Sequence, residues 1–499
     1  MKGTEKTMDT KDYLKLIDSV NENGVYKANW SSLSGHKTPE WYYTGKFGIF
    51  IHWGLYSVPA YLSEWYPRQM YNPSAKEYDY HIKTFGNHKD FGYKDFIPMF
   101  TADKFDAQNW AALFKKAGAK FVVPVCEHHD GFAMYGTEFN RWNSQNMGPK
   151  RNIALEIKEA VEANDMVFCA SSHRAEHYFF MNMGRTIESD VNDEAYRDFY
   201  GPAYYCPELD GDTIHQTCGD TFSVAPTTEW LEDWLVRTCE LIDKYQPKIL
   251  YFDWWIHHQS FKPYLKKLCA YYYNRANEWN IDVTINYKHE AFLPSVATFD
   301  VERGALDGIS PIPWQTDTAI GINSWGYTKD NKFKSARRII EDLIDVVSKN
   351  GMLLLNIGPK PDGTITEEET TVLLNIGEWL STNGEGIYGT NPWKIFGEGM
   401  ANCSGGYFNE YQEMNYSIND FRFTYKNGFL YAFCLKPSGR EYTIKSLCLK
   451  GDHDFLIENV SVLGKNTIIE TKRTNVGLEI ELEKDTTNQL PICFKVELS

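Results

Sequence analysis

Residues 249–255 read ILYFDWW: four apolar positions, one carboxylate, then two indoles. An unbroken apolar run of this length suits a strand buried on both faces, as in a parallel sheet; a half-exposed strand would alternate apolar and polar side chains. The same character marks FGIFIHWG (47–54), FVVPVCEHH (121–129), VFCASS (167–172), VTINYK (283–288), ATFDVE (297–302) and MLLLNIG (352–358). Helical patterns fall between these runs. In 229–246 the apolar Leu231, Trp234, Leu235, Leu241 and Ile242 recur at three and four, as do Ile339, Ile340, Leu343, Ile344 and Val347 in 334–349. Thr366 and Glu369 form a capping box ahead of Val372, Leu373, Ile376 and Leu380. Repeated strand–helix units predict an α/β fold, either a (β/α) barrel or a doubly wound sheet.

The pattern changes after Trp393. DFRFTYKNGFLYAFCL (420–435) alternates about Asn427-Gly428, a two-residue hairpin signal, and further short strands follow without helical period. The chain therefore divides into residues 1–390, holding the strand–helix units, and 391–499, a C-terminal β-sandwich. The stretch 174–226 reads as a long loop after the third strand, the kind of insertion that shapes a binding site and the place to seek a subsite beyond the centre.

Composition narrows the function. The 499 residues carry 51 Lys and Arg against 67 Asp and Glu, a net charge of −16, which argues against nucleic-acid or anionic-membrane partners. No run approaches the ~18 apolar residues of a membrane span. The N-terminus MKGTEKTMDTKDY has no apolar core, so no signal peptide is predicted and the compartment is left open. The ten cysteines include no CxxC pair; Cys126, Cys169 and Cys434 lie in apolar runs and read as buried thiols, while Cys206 and Cys218 share a loop in which they could pair. Aromatic residues make up 15% of the chain. Ring faces stack on the C–H faces of sugars, so carbohydrate is the first substrate class to consider, against the plainer use of rings as core filler.

In a barrel, chemistry sits at the C-terminal ends of the strands. Those ends carry His52, His128, His129, Ser172, His173, Asp253, Asn286 and Glu302. Asp253 is delivered by an apolar strand into Trp254 and Trp255, and an acid there needs partners because burying an unpaired carboxylate is costly. It reads as a nucleophile or base, against a helix cap or structural ion pair. His128, His129 and Asp130 have the composition of a metal cluster, although adjacent histidines on a strand point to opposite faces. Glu64 beside Trp65 offers an acceptor and a donor suited to a vicinal diol. His257 and His258 have no evident partner and read as structural.

Taken together, WYYTGKFGIFIHWGLYSVPAYLSEWY, CEHHDGF, YFDWW, SWGY and GMLLLNIGPKPDGTI resemble family 29 glycoside hydrolases, the α-L-fucosidases, over about residues 40 to 390. The resemblance implies a (β/α) TIM-like barrel followed by a β-domain, no metal or cofactor, and a retaining exo-hydrolase acting on terminal α-linked L-fucose of oligosaccharides or glycoconjugates. It places the nucleophile at Asp253 and the acid/base at Glu302, with Asp300 and Glu290 as alternatives. It places substrate contacts at His52, Glu64, Trp65, His128 and His129. Two departures stand out. VTINYKH lacks the family's arginine, leaving Lys288 or Asn286 as replacement, and SSHRAEH lacks its tyrosine, leaving His173. The segment PWQ keeps Trp314 as a substrate contact but has Gln315 where a glutamate is common. Fucose lacks an oxygen at C6, so its methyl needs an apolar wall, for which Phe50, Trp254 and Trp314 are candidates.

Overall fold

The computed structural model describes residues 8–205, 225–401, 405–411, 414–450, 455–465 and 469–499. Cys206 and Cys218 lie outside them. Every apolar run quoted above forms a parallel strand: β1 (Phe47–Ile51), β2 (Phe121–Glu127), β3 (Val167–Phe168) with β4 (Ala170–Ser172), β5 (Ile249–Phe252), β6 (Thr284–Tyr287), β7 (Thr298–Glu302) and β9 (Gly351–Ile357). One further strand, β8 (Trp314–Ala319), enters between β7 and β9. The segments β3 and β4 both pair with β2 and act as one stave, and β1 pairs with both β9 and β2, which closes an eight-stave parallel barrel.

The expected helices are present at Thr228–Tyr245, Ala336–Ser348 and Glu367–Asn383. The expected N-cap is made: the Glu369 amide donates to Thr366 Oγ1 (3.2 Å), and the return bond to Glu369 Oε2 comes from the Thr366 hydroxyl (3.0 Å). The described part of the 174–226 stretch is not a bare loop. It is a series of short 3-10 turns between Arg174 and Tyr196, and Phe179, Phe180, Met181 and Val191 are fully buried within it.

Beyond the barrel, β10 (Asn391–Glu398), β11 (Phe421–Lys426), β12 (Phe429–Cys434), β14 (Ile457–Val462) and β17 (Ile492–Leu498) form one antiparallel sheet. A second sheet holds β13 (Glu441–Ile444), β15 (Ile469–Arg473) and β16 (Leu478–Leu482). Asn427 and Gly428, with φ of 52° and 86°, make the primed turn the sequence called for. Leu430, Ala432 and Cys434 face a sandwich core with Ile480 and Phe494. The alternate residues Tyr431 and Phe433 join the barrel's core instead, where Phe433 lies 6.0 Å from the Trp379 ring. The larger sheet is therefore covered on both sides. A buried ion pair, Arg422 Nε to Asp345 (2.5 Å), crosses the same boundary. Among the described residues no helix is long and apolar enough to cross a membrane.

Candidate active site

A cavity of about 290 Å³ opens at the C-terminal ends of the barrel strands. Of the residues expected there, His52, Glu64, Trp65, His128, His129, His173, Asp253 and Glu302 line it. Trp314 does not. It begins β8, at the opposite end of the stave, where it is 1% exposed and its indole donates to the Lys349 carbonyl (2.9 Å). Its assignment as a substrate contact and apolar wall is therefore corrected. Phe50 and Trp254 do line the cavity.

Asp253 stands one residue past β5 and keeps 14% side-chain exposure. His173 Nδ1 donates to its Oδ2 (3.0 Å), and His129 Nε2 lies 3.4 Å from the same oxygen. Burial opposes ionisation, but the donors of His173 and His129 outweigh it and hold the carboxyl well below its ordinary range. The two histidines differ in charge. His129 Nδ1 meets the His173 carbonyl (2.9 Å), which can only accept, so both ring nitrogens carry protons. Burial pulls this imidazolium down, yet Glu176 and Asp253 raise it to about 9. His173 takes a hydrogen bond from Ser171 Oγ at Nε2 (3.1 Å), and burial keeps it neutral by lowering its pKa.

His52 and His128 are held neutral as well, each pushed well below the ordinary value first by burial. Asn356 fixes the His52 tautomer. Its Oδ1 accepts from the His52 backbone N–H (3.0 Å) and lies 2.7 Å from Nδ1, while its amide donates to the Trp325 carbonyl (2.7 Å). Nδ1 therefore carries the proton and Nε2 is a bare acceptor. Glu64 Oε2 accepts from Ser324 Oγ (2.8 Å) and the Trp325 amide (2.9 Å), which ties the first strand's loop to the loop after β8.

Glu302 ends β7. Its Oε2 accepts from the Trp254 indole (2.5 Å) and lies 3.1 Å from Lys288 Nζ. Burial is the largest influence on this carboxyl and raises its pKa; Lys288 opposes the rise, and the Asp253 charge adds to it. Of the alternatives, Asp300 is fully buried and bonded to Lys288 (2.9 Å) and Gln315 Nε2 (2.6 Å), and Glu290 is exposed; neither lines the cavity.

Lys288 does not line it either. It is 1% exposed and lies within 3.4 Å of Asp300, Glu302 and Asp317. Asn286 sits lower still, donating to the Tyr42 hydroxyl (3.1 Å). The arginine among the lining residues is Arg303, whose guanidinium lies 4.3 Å from the Trp325 ring. Burial and then Asp300 hold Asp317 well above the ordinary carboxyl range, so it keeps a proton, and Tyr251 donates to it (2.6 Å). Lys288→Met should cost about 3–5 kcal/mol of stability at pH 7, because it leaves the buried Asp300 carboxylate without its cation. Glu302 and Asp317, already raised by burial, would rise further once the lysine that opposes the rise is gone, so the deficit should shrink as the pH falls. Denaturant melts at pH 7 and 5 measure this; a deficit independent of pH would mean the cluster is neutral without the lysine.

Metal-ligand spacing occurs in two groups among the described residues, His52 with His128 and His173, and His129 with His173 and Asp253. In the first group His173, and in the second both His129 and His173, already have both ring nitrogens engaged by protein partners. The triad read from sequence is not assembled: Asp130 turns away to accept from the Tyr93 hydroxyl (2.7 Å) and the Phe132 amide (3.1 Å). His258 caps a 3-10 turn through the Ser260 amide (3.2 Å) and, like His257, lies outside the cavity. The sequence reading missed Tyr251, Arg303, Asp317, Trp325 and Phe408, all of which line it. Trp325 lay in the SWGY motif without an assigned role.

The geometry has clear relatives. Residues 14–385 match the family model described as alpha-L-fucosidase. Tissue alpha-L-fucosidase of Bos taurus is 29% identical over 388 residues, covering 75% of this chain and 74% of that protein. Plasma alpha-L-fucosidase of Homo sapiens is 29% identical, covering 74% and 73%. Among solved structures, the Thermotoga maritima alpha-fucosidase superimposes with a TM-score of 0.72 at 30% identity, covering 94% of this chain and all (100%) of that one. A barrel whose strand ends gather a depressed carboxyl, a raised carboxyl and a ring of histidines, matched over most of its length by these proteins, belongs to the α-L-fucosidase family of glycoside hydrolases.

Proposed function

We propose that the chain hydrolyses terminal α-linked L-fucose by double displacement with retention of configuration, Asp253 acting as nucleophile and Glu302 as acid/base. The observation that carries this reading is the opposed state of the two carboxyls on one cavity. Asp253 is held ionised, and both of its donors engage Oδ2, which leaves Oδ1 to attack the anomeric carbon. Glu302 is held toward its protonated form, and both of its donors engage Oε2, so the transferable proton belongs on Oε1.

In the first step Asp253 forms an ester with C1 while Glu302 gives its proton to the departing glycosidic oxygen. Ester formation removes the Asp253 charge, one of the causes that raise Glu302, so the ionised Glu302 becomes easier to keep. Glu302 then takes a proton from water, which attacks C1 and frees Asp253. Around the sugar, His52 Nε2 accepts a hydrogen bond from a hydroxyl and Glu64 accepts beside the Trp65 indole, while the His129 imidazolium, with both N–H groups engaged, holds Asp253 in place. Each bond lost in an epimer strands a buried group, which is how such sites discriminate strongly. Phe50 and Trp254 are the wall for the methyl. The Thermotoga maritima alpha-fucosidase structures, solved in complex with fucose and with a mechanism-based inhibitor, support fucose as the ligand by likeness.

The product's anomer tests the mechanism. Proton NMR during the first minutes of turnover should show α-L-fucose forming ahead of the β anomer, which appears later by mutarotation. Initial release of β-L-fucose would mean a single displacement and would remove Asp253 from the nucleophile's role.

A further inference from the structure

We infer that the C-terminal region supplies a sugar-binding platform, Phe408, for the residue to which fucose is attached. This deepens the hydrolase reading and rests on it. Phe408 lines the cavity yet is 48% exposed, an unusual setting for a large apolar ring beside the chemistry. Its backbone is in the left-handed region at φ 57°, which costs a non-glycine residue roughly 1–2 kcal/mol. Strain of this kind persists only where the surroundings over-determine it.

Here they do. The Phe408 amide donates to the Glu302 carbonyl (2.9 Å), Gly406 to Ala305 (2.9 Å) and Glu410 to Arg303 (3.0 Å). The Glu410 carboxylate is buried between Arg303 (2.6 Å) and Lys334 (2.7 Å) and also accepts from Thr318. Gly304 has no room for a side chain, since a Cβ there would lie 2.0 Å from the Gly406 oxygen. The segment is thus clamped to the strand end that carries the acid, and the exposed Phe408 ring borders the cavity.

The position selects the ligand. Glu302 protonates the bridging oxygen, so the leaving sugar departs on the Glu302 side. Phe408 begins one hydrogen bond from Glu302, and its ring lies nearly parallel to that of Trp254, with an interplanar angle of 11° and centroids 6.1 Å apart, while the Trp254 indole holds Glu302 Oε2. Two flat faces beside the acid suit a pyranose that presents contiguous C–H bonds. The ligand class is therefore a fucosylated pyranoside, and the platform is specific to its second sugar.

The test compares α-L-fucosyl fluoride, which has no second sugar, with the best-cleaved member of a panel of (1→2)-, (1→3)-, (1→4)- and (1→6)-linked fucosyl disaccharides. The ratio of kcat/KM, disaccharide over fluoride, should fall about tenfold in Phe408→Ala and in Phe408→Leu, chiefly through KM, and should be kept in Phe408→Tyr. A ratio within twofold of the parent's in both Phe408→Ala and Phe408→Leu would overturn the proposal. So would an equal fall on both substrates, which would make the ring part of the fucose pocket. A parent enzyme inert toward the fluoride would instead overturn the hydrolase reading beneath it.

Discussion

Asp253→Ala should lower kcat on an aryl α-L-fucoside by roughly four orders of magnitude, about 5.5 kcal/mol at 1.36 kcal/mol per decade. The loss arises because, among the described residues, no other carboxylate on the cavity is free to take its place: Glu302 is raised, Asp317 keeps its proton, and Glu64 is committed to Ser324 and Trp325 through Oε2. Folding should survive. Asp253 lies past the end of its strand, and the His129 imidazolium retains Glu176 at 3.8 Å as a counter-charge. The vacated space admits a small anion, so azide should restore turnover and yield β-L-fucosyl azide. Unchanged turnover in the variant, or rescue giving the α-azide, would remove the aspartate from the reaction.

The second large effect is at Glu302 and depends on the leaving group. Glu302→Ala should cost ~10²–10⁴-fold on a disaccharide or alkyl fucoside, whose oxygen needs a proton to depart, and under about tenfold in bond cleavage on a dinitrophenyl fucoside, whose oxygen does not. The pH profile carries the same information. In the parent, kcat/KM should fall on the acid side as Asp253 gains a proton, below the ordinary carboxyl range, because its pKa is depressed. It should fall on the alkaline side as Glu302 loses its proton, above that range, because its pKa is raised. In Glu302→Ala with the activated substrate, the alkaline limb should move to about 9, where His129 loses its charge and one donor to Asp253 is gone. An alkaline limb left in place by the substitution would assign it to another group.

The barrel was legible because seven of its staves are buried on both faces and are spelled in apolar letters. The eighth, WQTDTA, was not. Its inward side chains enter a polar core instead: Gln315 accepts from Tyr42 (2.5 Å) and donates to Asp300, and Asp317 meets Lys288 and Tyr251. Hydropathy has no signal for a strand stabilised in that way. The same blind spot explains Trp314. A strand without an apolar signal gives its segment no direction, so sequence alone does not distinguish the closed end of the barrel, where Trp314 lies, from the mouth. Asp253 and the strand-end histidines were readable because each terminates an apolar run. Arg303 and Trp325 required the loops to be folded. Phe408 lies more than a hundred residues beyond Glu302 in a region that reads as a separate unit, so no local pattern could have brought it to the cavity.

The sheet of β10, β11, β12, β14 and β17 is oily on two sides, one meeting its own sandwich and one meeting the barrel's outer helices. The last hundred residues are thus not cargo on a flexible tether. Detaching them would wet a broad hydrocarbon surface on both pieces and strip the mouth of its far wall. An engineered replacement of this appendage should therefore have to restore both oily faces before its effect on the choice of glycan can be read.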